Sequence, residues 1–285
     1  MDSSLNIDQN TLSPAATIPK RDRKTLAYQD FAQGLSQWRI WLLLAYQDIK
    51  LRYRRSILGP FWITLSMAIT VYSMGFLYAH LFKIDMRQYY PFLVAGMLAW
   101  SLISTVIIEL TDTFIVYDGL IKQIKLPYSL YIHRVAARNI IIFFHNLLVM
   151  IPVLVIFHDS IKVNFYTLLL IPNLLLIYIN IFTFGMILAI IGARYRDISQ
   201  IIKSLIQVAF FVTPVMWNPI VLPLQYQKMI HLNPFYIFVE LLRAPLIGAP
   251  NSLSIIAIAL FITVIGTSIC ALMFARYRGR IIYWL

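Results

Sequence analysis

The sequence predicts an all-α membrane protein with six transmembrane helices, an N-terminal amphipathic interface helix and a re-entrant helical hairpin between helices five and six. Three observations carry this prediction. Hydrophobic residues make up 60% of the 285 positions, and the mean hydropathy of +0.75 excludes an ordinary soluble domain. Apolar runs of bilayer-spanning length recur along the chain. The basic residues collect on one side of the arrangement that these runs define.

Six apolar runs each have roughly the 17–25 residues that a helix needs to cross the hydrocarbon core of a bilayer. When the connecting segments are assigned alternately to two sides, 19 of the 24 Lys and Arg residues fall on the side of the N-terminus. Cytoplasmic segments carry such an excess because Lys and Arg resist translocation. We therefore predict that both termini are cytoplasmic. The predicted crossings are 60–82, 91–114, 140–157, 165–191, 201–217 and 253–275.

The N-terminal part of the chain divides into two segments before the first crossing. Residues 1–25 contain Ser, Asn and Pro but no long apolar run, which predicts a disordered cytoplasmic tail. In residues 26–58 apolar side chains recur at steps of three and four, which predicts an amphipathic helix at the cytoplasmic membrane interface. Gly59 and Pro60 then predict a bend, so residues 59–285 form the transmembrane domain. The apolar face of the interface helix comprises Phe31, Leu35, Trp38, Leu42, Ala45 and Ile49.

A second amphipathic segment lies in the cytoplasmic loop between the second and third crossings. There a short apolar stripe alternates with basic and polar side chains, until Pro127 ends the pattern. This predicts a short helix parallel to the membrane. Two roles fit it equally, namely packing at the membrane surface and contact with a cytoplasmic partner. The stripe and its polar neighbours are Leu120, Ile121, Lys122, Gln123, Ile124 and Lys125.

Residues 218–250 are mostly apolar but contain five prolines, which leave room for two helical pieces of about a dozen residues each. Neither piece can span about 30 Å of hydrocarbon. A single crossing here would also place the basic C-terminus outside, against the charge pattern. We therefore predict a re-entrant hairpin that dips in from the outer face, where protein or water surrounds its tip. Within it, Glu240 and Arg243 are spaced to pair on one helix face.

Two of the predicted crossings carry a stripe of polar and aromatic side chains. Polar groups in lipid are costly, so a stripe of this kind faces the bundle interior or a water-filled path. Ser and Thr have a second interpretation, because they can bond to their own helix carbonyls or hold helices together. Gln207 favours a lining role, because its amide needs several partners. The stripes comprise Trp62, Ser66, Thr70 and Ser73 in the first crossing, and Gln207, Phe211 and Trp217 in the fifth.

The formal net charge of +12 is high enough for a nucleic-acid-binding protein. The charges lie beside membrane segments, however, so we expect them to contact anionic lipid headgroups and expect no nucleic-acid partner. The sequence contains no GxxxxGK[ST] phosphate loop, no Gly-x-Ser-x-Gly elbow, no HExxH helix and no Cys/His cluster. We therefore expect no catalytic site, no metal site and no cofactor on this chain. If it transports uphill, a partner supplies the work.

Four ordered blocks resemble the transmembrane subunits of ABC-2 type polysaccharide exporters, which include O-antigen, capsule and teichoic-acid exporters, and they resemble the O-antigen branch most. The resemblance implies a homodimer bound to two copies of a separate ATPase, which binds ATP and Mg. It also implies export of a lipid-linked polysaccharide across the inner membrane of a bacterium. The blocks are RYRRSILGPFW (52–62), GLIKQIKLPYSLYIHR (119–134), RYRDISQIIKSLIQVAFFVTPVMWNP (194–219) and NPFYIFVELLRAPLIG (233–248).

The resemblance also implies a role for each candidate site residue. The two polar stripes would line the polymer channel, and the hairpin with Glu240 and Arg243 would gate it. Arg52, Arg54 and Arg55 would meet the lipid-linked pyrophosphate headgroup, since Arg grips phosphate oxygens in pairs. Anchoring by positive charge alone explains these three arginines almost as well. The ATPase would dock on the interface helix and, with the 194–199 loop nearby, on Leu120, Lys122, Gln123 and Lys125.

Two other functions stay open from the residues alone. An ion-coupled secondary transporter usually needs a carboxylate near the membrane midplane and two similar halves, and the sequence has neither. A membrane-bound glycan-modifying transferase needs a catalytic His or a pair of carboxylates facing the cytoplasm. Asp112 and Asp118 do not make a convincing pair. A neighbouring gene for a nucleotide-binding ATPase would favour the exporter over both.

Overall fold

The computed structural model describes residues 22–159, 161 and 163–285, and every regular element in these residues is helical. The predicted tail at 1–25 lies outside the described residues except for its last four positions. The first helix begins at Arg23, inside the segment that the sequence assigned to the tail.

The α-helices of the described residues follow one another with short connections. Turns of 3₁₀-helix extend several of them, and Leu147–Val149 joins the seventh helix to the eighth. The helices are α1 (Arg23–Ser36), α2 (Trp38–Arg52), α3 (Phe61–Leu81), α4 (Met86–Thr111), α5 (Thr113–Val116), α6 (Asp118–Gln123), α7 (Tyr128–Asn146), α8 (Met150–Ile156), α9 (Leu170–Arg194), α10 (Asp197–Val212), α11 (Leu224–Ile230), α12 (Pro234–Leu246), α13 (Leu253–Tyr277) and α14 (Ile281–Trp284).

Five helical segments of the described residues are long and apolar enough to cross a membrane. They coincide with predicted crossings one, two, three, four and six, and the three that hold α7, α9 and α13 extend further at one or both ends than the apolar runs indicate. This confirms a multi-pass, all-helical membrane protein. The segments are Phe61–Leu81, Met86–Thr111, Tyr128–Ile156, Phe165–Arg194 and Leu253–Trp284.

The predicted crossing at 201–217 coincides with α10, which is shorter than the other five segments. Its 16 residues rise about 24 Å, less than the thickness of the hydrocarbon core. The helix ends before Thr213, whose backbone is extended with φ −86° and ψ 133°. Pro214 explains this end, because the ring of a proline disfavours helical backbone at the preceding residue.

The predicted interface helix at 26–58 is two helices, because the chain breaks at Gln37 (φ −82°, ψ 35°). The break changes which side chains share a face. Ala45 and Ile49 are buried where α2 packs along α7, as the sequence pattern indicates. Leu35 and Trp38, which the same pattern placed on the packed face, are at least half exposed on either side of the break.

Helix α4 forms the centre of the molecule and packs against α3, α7, α9, α10 and α12. Two glycines of α9 allow the closest of these approaches. A Cβ atom at Gly185 would collide with the Leu110 side chain, and one at Gly192 with the Thr111 carbonyl oxygen. The hydrophobic core therefore lies around α4, whereas α13 packs mainly against α9 and leaves Phe261 exposed.

The proline-rich segment 218–250 contains α11 and α12, with 7 and 13 residues. Helix α12 rises about 20 Å, so neither helix can cross the hydrocarbon core alone. Asn233 caps α12, because its Oδ1 accepts from the backbone N–H of Phe235 at 2.9 Å. Helix α12 packs against α4, α9 and α13, which places this segment beside the core.

Candidate functional site

Arg243 anchors α12 to the end of α10. Its side chain is 1% exposed, and its Nη1 lies 3.2 Å from Glu240 Oε2, so the pair predicted from the three-residue spacing is present. Its Nη2 donates to the Pro214 carbonyl oxygen at 2.6 Å. The guanidinium carbon lies 4.0 Å from the centre of the Phe92 ring on α4. One buried cation thus joins three parts of the bundle.

A second contact satisfies a carbonyl that a proline leaves unpaired. Pro245 lies inside α12 and has no N–H, so the carbonyl of Leu241 loses its helical donor. The side-chain nitrogen of Asn173 on α9 donates to this oxygen at 2.6 Å and to Asn251 Oδ1 at 2.7 Å. The Asn251 nitrogen in turn donates to the Glu240 carbonyl at 3.2 Å. A freed backbone group in a membrane protein needs such a partner.

The predicted stripe on α3 lies on the surface of the single chain. Trp62, Ser66, Thr70 and Ser73 are all exposed. Thr70 Oγ1 donates to the Ser66 carbonyl of its own helix at 2.9 Å. This is the bond expected if Thr70 satisfies its hydroxyl within the helix rather than lining a path. The indole of Trp62 is 42% exposed and leaves a flat aromatic face available.

The predicted stripe on α10 is likewise exposed at Gln207 and Phe211. Trp217 lies beyond the helix end, is half-buried, and donates from its Nε1 to the Phe211 carbonyl at 3.3 Å. This carbonyl belongs to the last turn of α10, where helix carbonyls lack a backbone donor. Helix α4 packs against both α3 and α10, so the two helices that carry the stripes flank one central helix. Among the described residues no hydrogen bond or ion pair joins the two stripes.

The three arginines predicted to meet the headgroup differ in their surroundings. Arg52 Nη2 lies 3.2 Å from Glu109 Oε1, although the Arg52 side chain is about half exposed. Arg54 and Arg55 follow the end of α2, are exposed, and have no carboxylate partner in the described part of the chain. Arg55 has a positive φ of 69° and Gly59 one of 55°, which together form the elbow before α3.

Asp48 on α2 is the centre of an ion-pair cluster that the sequence analysis missed. Arg134 Nη2 lies 2.6 Å and Arg138 Nη1 2.9 Å from its carboxylate oxygens, and Tyr117 donates its hydroxyl at 3.2 Å. Burial would raise the pKa of the Asp48 carboxyl, but the hydrogen bonds and charges of the two arginines outweigh it and hold that pKa below its usual range. Burial also raises the pKa of the Tyr117 hydroxyl.

Glu109 near the end of α4 continues this cluster. Its Oε2 accepts from Arg138 Nη2 at 2.8 Å and from the side-chain nitrogen of Asn139 at 2.6 Å. Its Oε1 accepts from Arg52 Nη2. The cluster therefore links α2, α4, α7 and the segment before α6 through charge-assisted hydrogen bonds, which are stronger than neutral ones.

A third carboxylate, that of Asp30 on α1, is buried against the start of α7. It is 1% exposed and accepts from the backbone N–H groups of Tyr128 at 3.2 Å and Ser129 at 3.0 Å. Arg278 Nε donates at 2.9 Å to Oδ2, the oxygen that also accepts from Tyr128. A carboxylate at a helix N-terminus satisfies free N–H groups and interacts well with the helix dipole. Asp30 thus joins α1, α7 and the end of α13.

The predicted short helix of the cytoplasmic loop is present as α6. Ile121 is buried and Leu120 is half-buried, whereas Lys122, Gln123 and Lys125 are exposed. Lys122 Nζ pairs with Asp118 at 2.8 Å across one helical turn, a surface pair of small energetic value. The α9–α10 turn lies beside the adjoining α5, because Ser199 and Lys203 both contact the Asp112 carboxylate.

Sequence reasoning found the Glu240–Arg243 pair and α6, but it missed the ion pairs of Asp30, Asp48 and Glu109. A signal was available, since the whole chain has only 12 acidic residues and each of these three falls on or beside an apolar helix. Their partners lie 29 to 248 residues away in the chain, so no local pattern identifies them.

Comparison with known proteins gives a family and relatives that agree with one another. The family described as ABC-2 type transporter matches residues 39–247. An O-antigen export system permease protein RfbA of Klebsiella pneumoniae is 24% identical over 80% of this chain and 89% of its own length. A permease of the same name from Myxococcus xanthus is 29% identical over 64% of this chain and 70% of its own length.

Proposed function

The chain belongs to the ABC-2 type transporter family and is the transmembrane subunit of an ABC exporter, and from this premise we propose that it exports a lipid-linked, O-antigen-like polysaccharide across the inner membrane. The observation that carries the proposal is its similarity, over most of its length, to permeases named for O-antigen export. ATP hydrolysis would come from a separate subunit, since this chain carries no phosphate-binding loop.

We propose six crossings with both termini in the cytoplasm. The contacts of Asp30 support this, because they hold α1, the start of α7 and the end of α13 on one side of the membrane. Three candidate spans separate the start of α7 from the end of α13. An odd number of crossings would place these two points on opposite sides of the membrane. A further net crossing between α9 and α13 resolves this. Helix α10 supplies it together with residues 213–217 that follow, and 218–250 then enters and leaves on the outer side.

A homodimer enclosing the channel is the arrangement that the exposed stripes favour. An amide such as Gln207 on a lipid-facing surface is costly, and a second copy of the chain would enclose it. Trp62 and Phe211 offer flat faces on which sugar rings stack, while Ser66 and Ser73 offer weak, exchangeable hydrogen bonds. A moving polymer needs repeated weak contacts of this kind rather than one tight binding site.

The ion-pair cluster gives a route from the ATPase to the membrane helices. In this proposal the ATPase contacts α6 and the α9–α10 turn. Tyr117 directly precedes α6 and bonds to Asp48, so a displacement of α6 would be transmitted to α2. Arg52 and Glu109 extend the connection to the elbow before α3 and to α4. Salt-bridge networks on rigid helices are a physical means of such coupling.

The direct test is deletion of the gene in its host and complementation with variants of the lining. Deletion removes the surface polysaccharide on a gel and leaves lipid-linked polymer inside the cell. Gln207→Leu or Trp217→Leu reduces surface polymer, whereas Leu272→Phe on the exposed face of α13 complements fully. Unchanged surface glycan in the deletion strain would refute the proposed function.

The exporter and the two alternative functions differ in the energy source that they require. A secondary transporter would move its substrate without any ATPase, and a glycan-modifying transferase would alter the polymer without moving it. The exporter requires a nucleotide-binding partner for transport into vesicles, and the purified chain alone hydrolyses no ATP. Transport by the chain alone under an ion gradient would favour the first alternative over the exporter.

A further inference from the structure

A cavity of about 360 Å³ lies where the end of α2 and the elbow before α3 meet α7. This volume is in the range of small-ligand sites. In the proposed topology the third crossing begins near residue 140, so the part of α7 that lines the cavity lies in the first two turns of that crossing. The cavity is therefore at the level of the cytoplasmic lipid headgroups. Polar side chains in its wall are Tyr46, Lys50, Tyr53 and His145.

These polar side chains have hydrogen-bonding groups that the protein does not use. Lys50 Nζ lies 4.7 Å from the centre of the Tyr46 ring and has no carboxylate partner among the residues that the structure describes. Within the same residues, the hydroxyls of Tyr46 and Tyr53 and the ring nitrogens of His145 form no hydrogen bond. The cavity thus offers a ligand one cation and several hydrogen-bond donors.

The charge of this wall is positive, because the part of it that the structure describes contains no carboxylate. The carboxylates of the neighbouring ion-pair cluster are already paired with arginines. Asp48 binds Arg134 and Arg138, and Glu109 binds Arg52 and Arg138. An anion in the cavity would therefore be the partner that the lysine lacks, and charge-assisted hydrogen bonds favour such a pair.

The cavity and the polar stripe of α3 lie on different faces of that helix. Pro60 lines the cavity, and Thr64, one turn further on, donates to the His145 carbonyl at 3.0 Å, so this face is turned towards α7. Trp62 and Ser66 are each two residues from Thr64, which places them about 160° from it around the helix axis. An occupant of the cavity therefore lies outside the proposed polymer path, and the matching anion at this depth is a lipid of the bilayer itself.

We propose that the cavity binds the phosphate headgroup of an anionic phospholipid of the cytoplasmic leaflet. Lys50 and the tyrosine hydroxyls donate to the phosphate oxygens. The acyl chains contact the elbow, where Ile57 and Leu58 are exposed between the lining residues Tyr53 and Pro60. The bound lipid joins the end of α2, the elbow and α7, and so stabilises the connection between the interface helices and the first crossing.

The test is native mass spectrometry of the purified full-length protein in detergent, titrated with phosphatidylglycerol or phosphatidylcholine. A single phosphatidylglycerol per chain binds about tenfold more tightly than phosphatidylcholine, the effect of one charge-assisted hydrogen bond. It also raises the melting temperature, because it binds the folded state. Equal affinities for the two lipids would overturn the proposal. Complete displacement of phosphatidylglycerol by an equal concentration of a polyprenyl phosphate would overturn it too, and would assign the cavity to the carrier lipid of the polymer.

Two pairs of variants locate the bound lipid. Lys50→Gln lowers the affinity for phosphatidylglycerol about tenfold, whereas Lys83→Gln, which removes an exposed charge from the α3–α4 connection, leaves it unchanged. Ile141→Trp fills the cavity and abolishes both binding and the rise in melting temperature, whereas Ile142→Trp, outside the wall, preserves both. Thermal unfolding without lipid shows whether each variant is folded. Undiminished binding in Lys50→Gln would by itself overturn the proposal, even if Ile141→Trp fails to fold.

Discussion

Arg243 shows how one buried side chain fixes the packing of a short helix that cannot span the membrane. Its charge is balanced by Glu240, and its Nη2 reaches the carbonyls of Pro214 and Val215 just after the end of α10. Its Nε is buried and has no hydrogen-bond partner in the described part of the chain. Gly96 of α4 completes the site, because a Cβ there would lie 2.6 Å from Arg243 Nη2 and 2.7 Å from the Val215 carbonyl oxygen. The residue types at these positions are therefore coupled.

Arg243→Leu should lower the stability of the purified protein by about 1–3 kcal/mol, because it leaves the half-buried Glu240 carboxylate and the buried Pro214 carbonyl oxygen without their partner. Thermal unfolding in detergent measures this effect. Gly96→Ala should also destabilise, whereas Gly119→Ala, where a Cβ would meet no neighbour, should not. Arg39→Leu is the control for loss of an exposed arginine. Equal melting temperatures for Arg243→Leu and Arg39→Leu would contradict the anchoring role.

Substitution of Arg54 and Arg55 can distinguish recognition of the lipid headgroup from anchoring by positive charge. Replacing both with Lys keeps two positive charges but removes the planar, paired donors that suit phosphate. We expect normal membrane insertion. We expect export to fall about tenfold or more, because at least one charge-assisted hydrogen bond to the phosphate is lost. Radiolabelled polymer at the cell surface measures export. Full export in the double-lysine variant would assign these residues to anchoring alone.

At the scale of elements, the packing of segment 218–250 depends on a helix that contains a proline. Asn173 supplies the donor that Pro245 cannot. Asn173→Ala should therefore destabilise by about 1–3 kcal/mol, because it leaves the Leu241 carbonyl with only the longer 3.5 Å contact from the Asn251 side-chain nitrogen. In a Pro245→Ala background the N–H at position 245 returns, so the same substitution should cost less. A double-mutant cycle by thermal unfolding measures the difference, and strict additivity would disprove the coupling.

Helix α6 is the element whose proposed role is easiest to isolate. Replacing Lys122 and Lys125 with Glu reverses the charge of its exposed face while Ile121 remains buried. Co-purification of the ATPase should fall about tenfold at low salt, as expected for loss of charge complementarity. Lys83→Glu, in the connection between α3 and α4, serves as the control. Undiminished co-purification would exclude α6 from the docking surface.

The membrane-spanning elements were predictable because hydropathy and length alone define them, as α3, α4 and α9 demonstrate. The break at Gln37 was not, since neither Gly nor Pro marks it and packing on α7 decides it. The early end of α10 had a signal in Pro214, which lies inside the predicted crossing at 201–217. The stripes follow from helical spacing, whereas Asp48 acquires its partners only through the packing of α2 on α7.

At the scale of the whole molecule, the proposed topology places the segment around Tyr226 on the outer side of the membrane and the C-terminus in the cytoplasm. In a Cys270→Ala background, Tyr226→Cys should react with a membrane-impermeant thiol reagent in intact spheroplasts, because it is exposed at α11. A cysteine appended after Leu285 should react only after permeabilisation. Labelling of the appended cysteine in intact spheroplasts would reverse the orientation.

The Asp30 contact sets the order in which the chain completes its fold during synthesis. Ser129 leaves the ribosome early, but Arg278 follows Asp30 by 248 residues. At about 5–20 residues per second, the carboxylate waits roughly 12–50 s for its cation. The ion pair between Asp30 and Arg278 therefore forms only after translation of the last helix, whereas the bonds of Asp30 to the start of α7 can form earlier. Closure of the contact between α1 and the end of α13 is thus a late step of biogenesis.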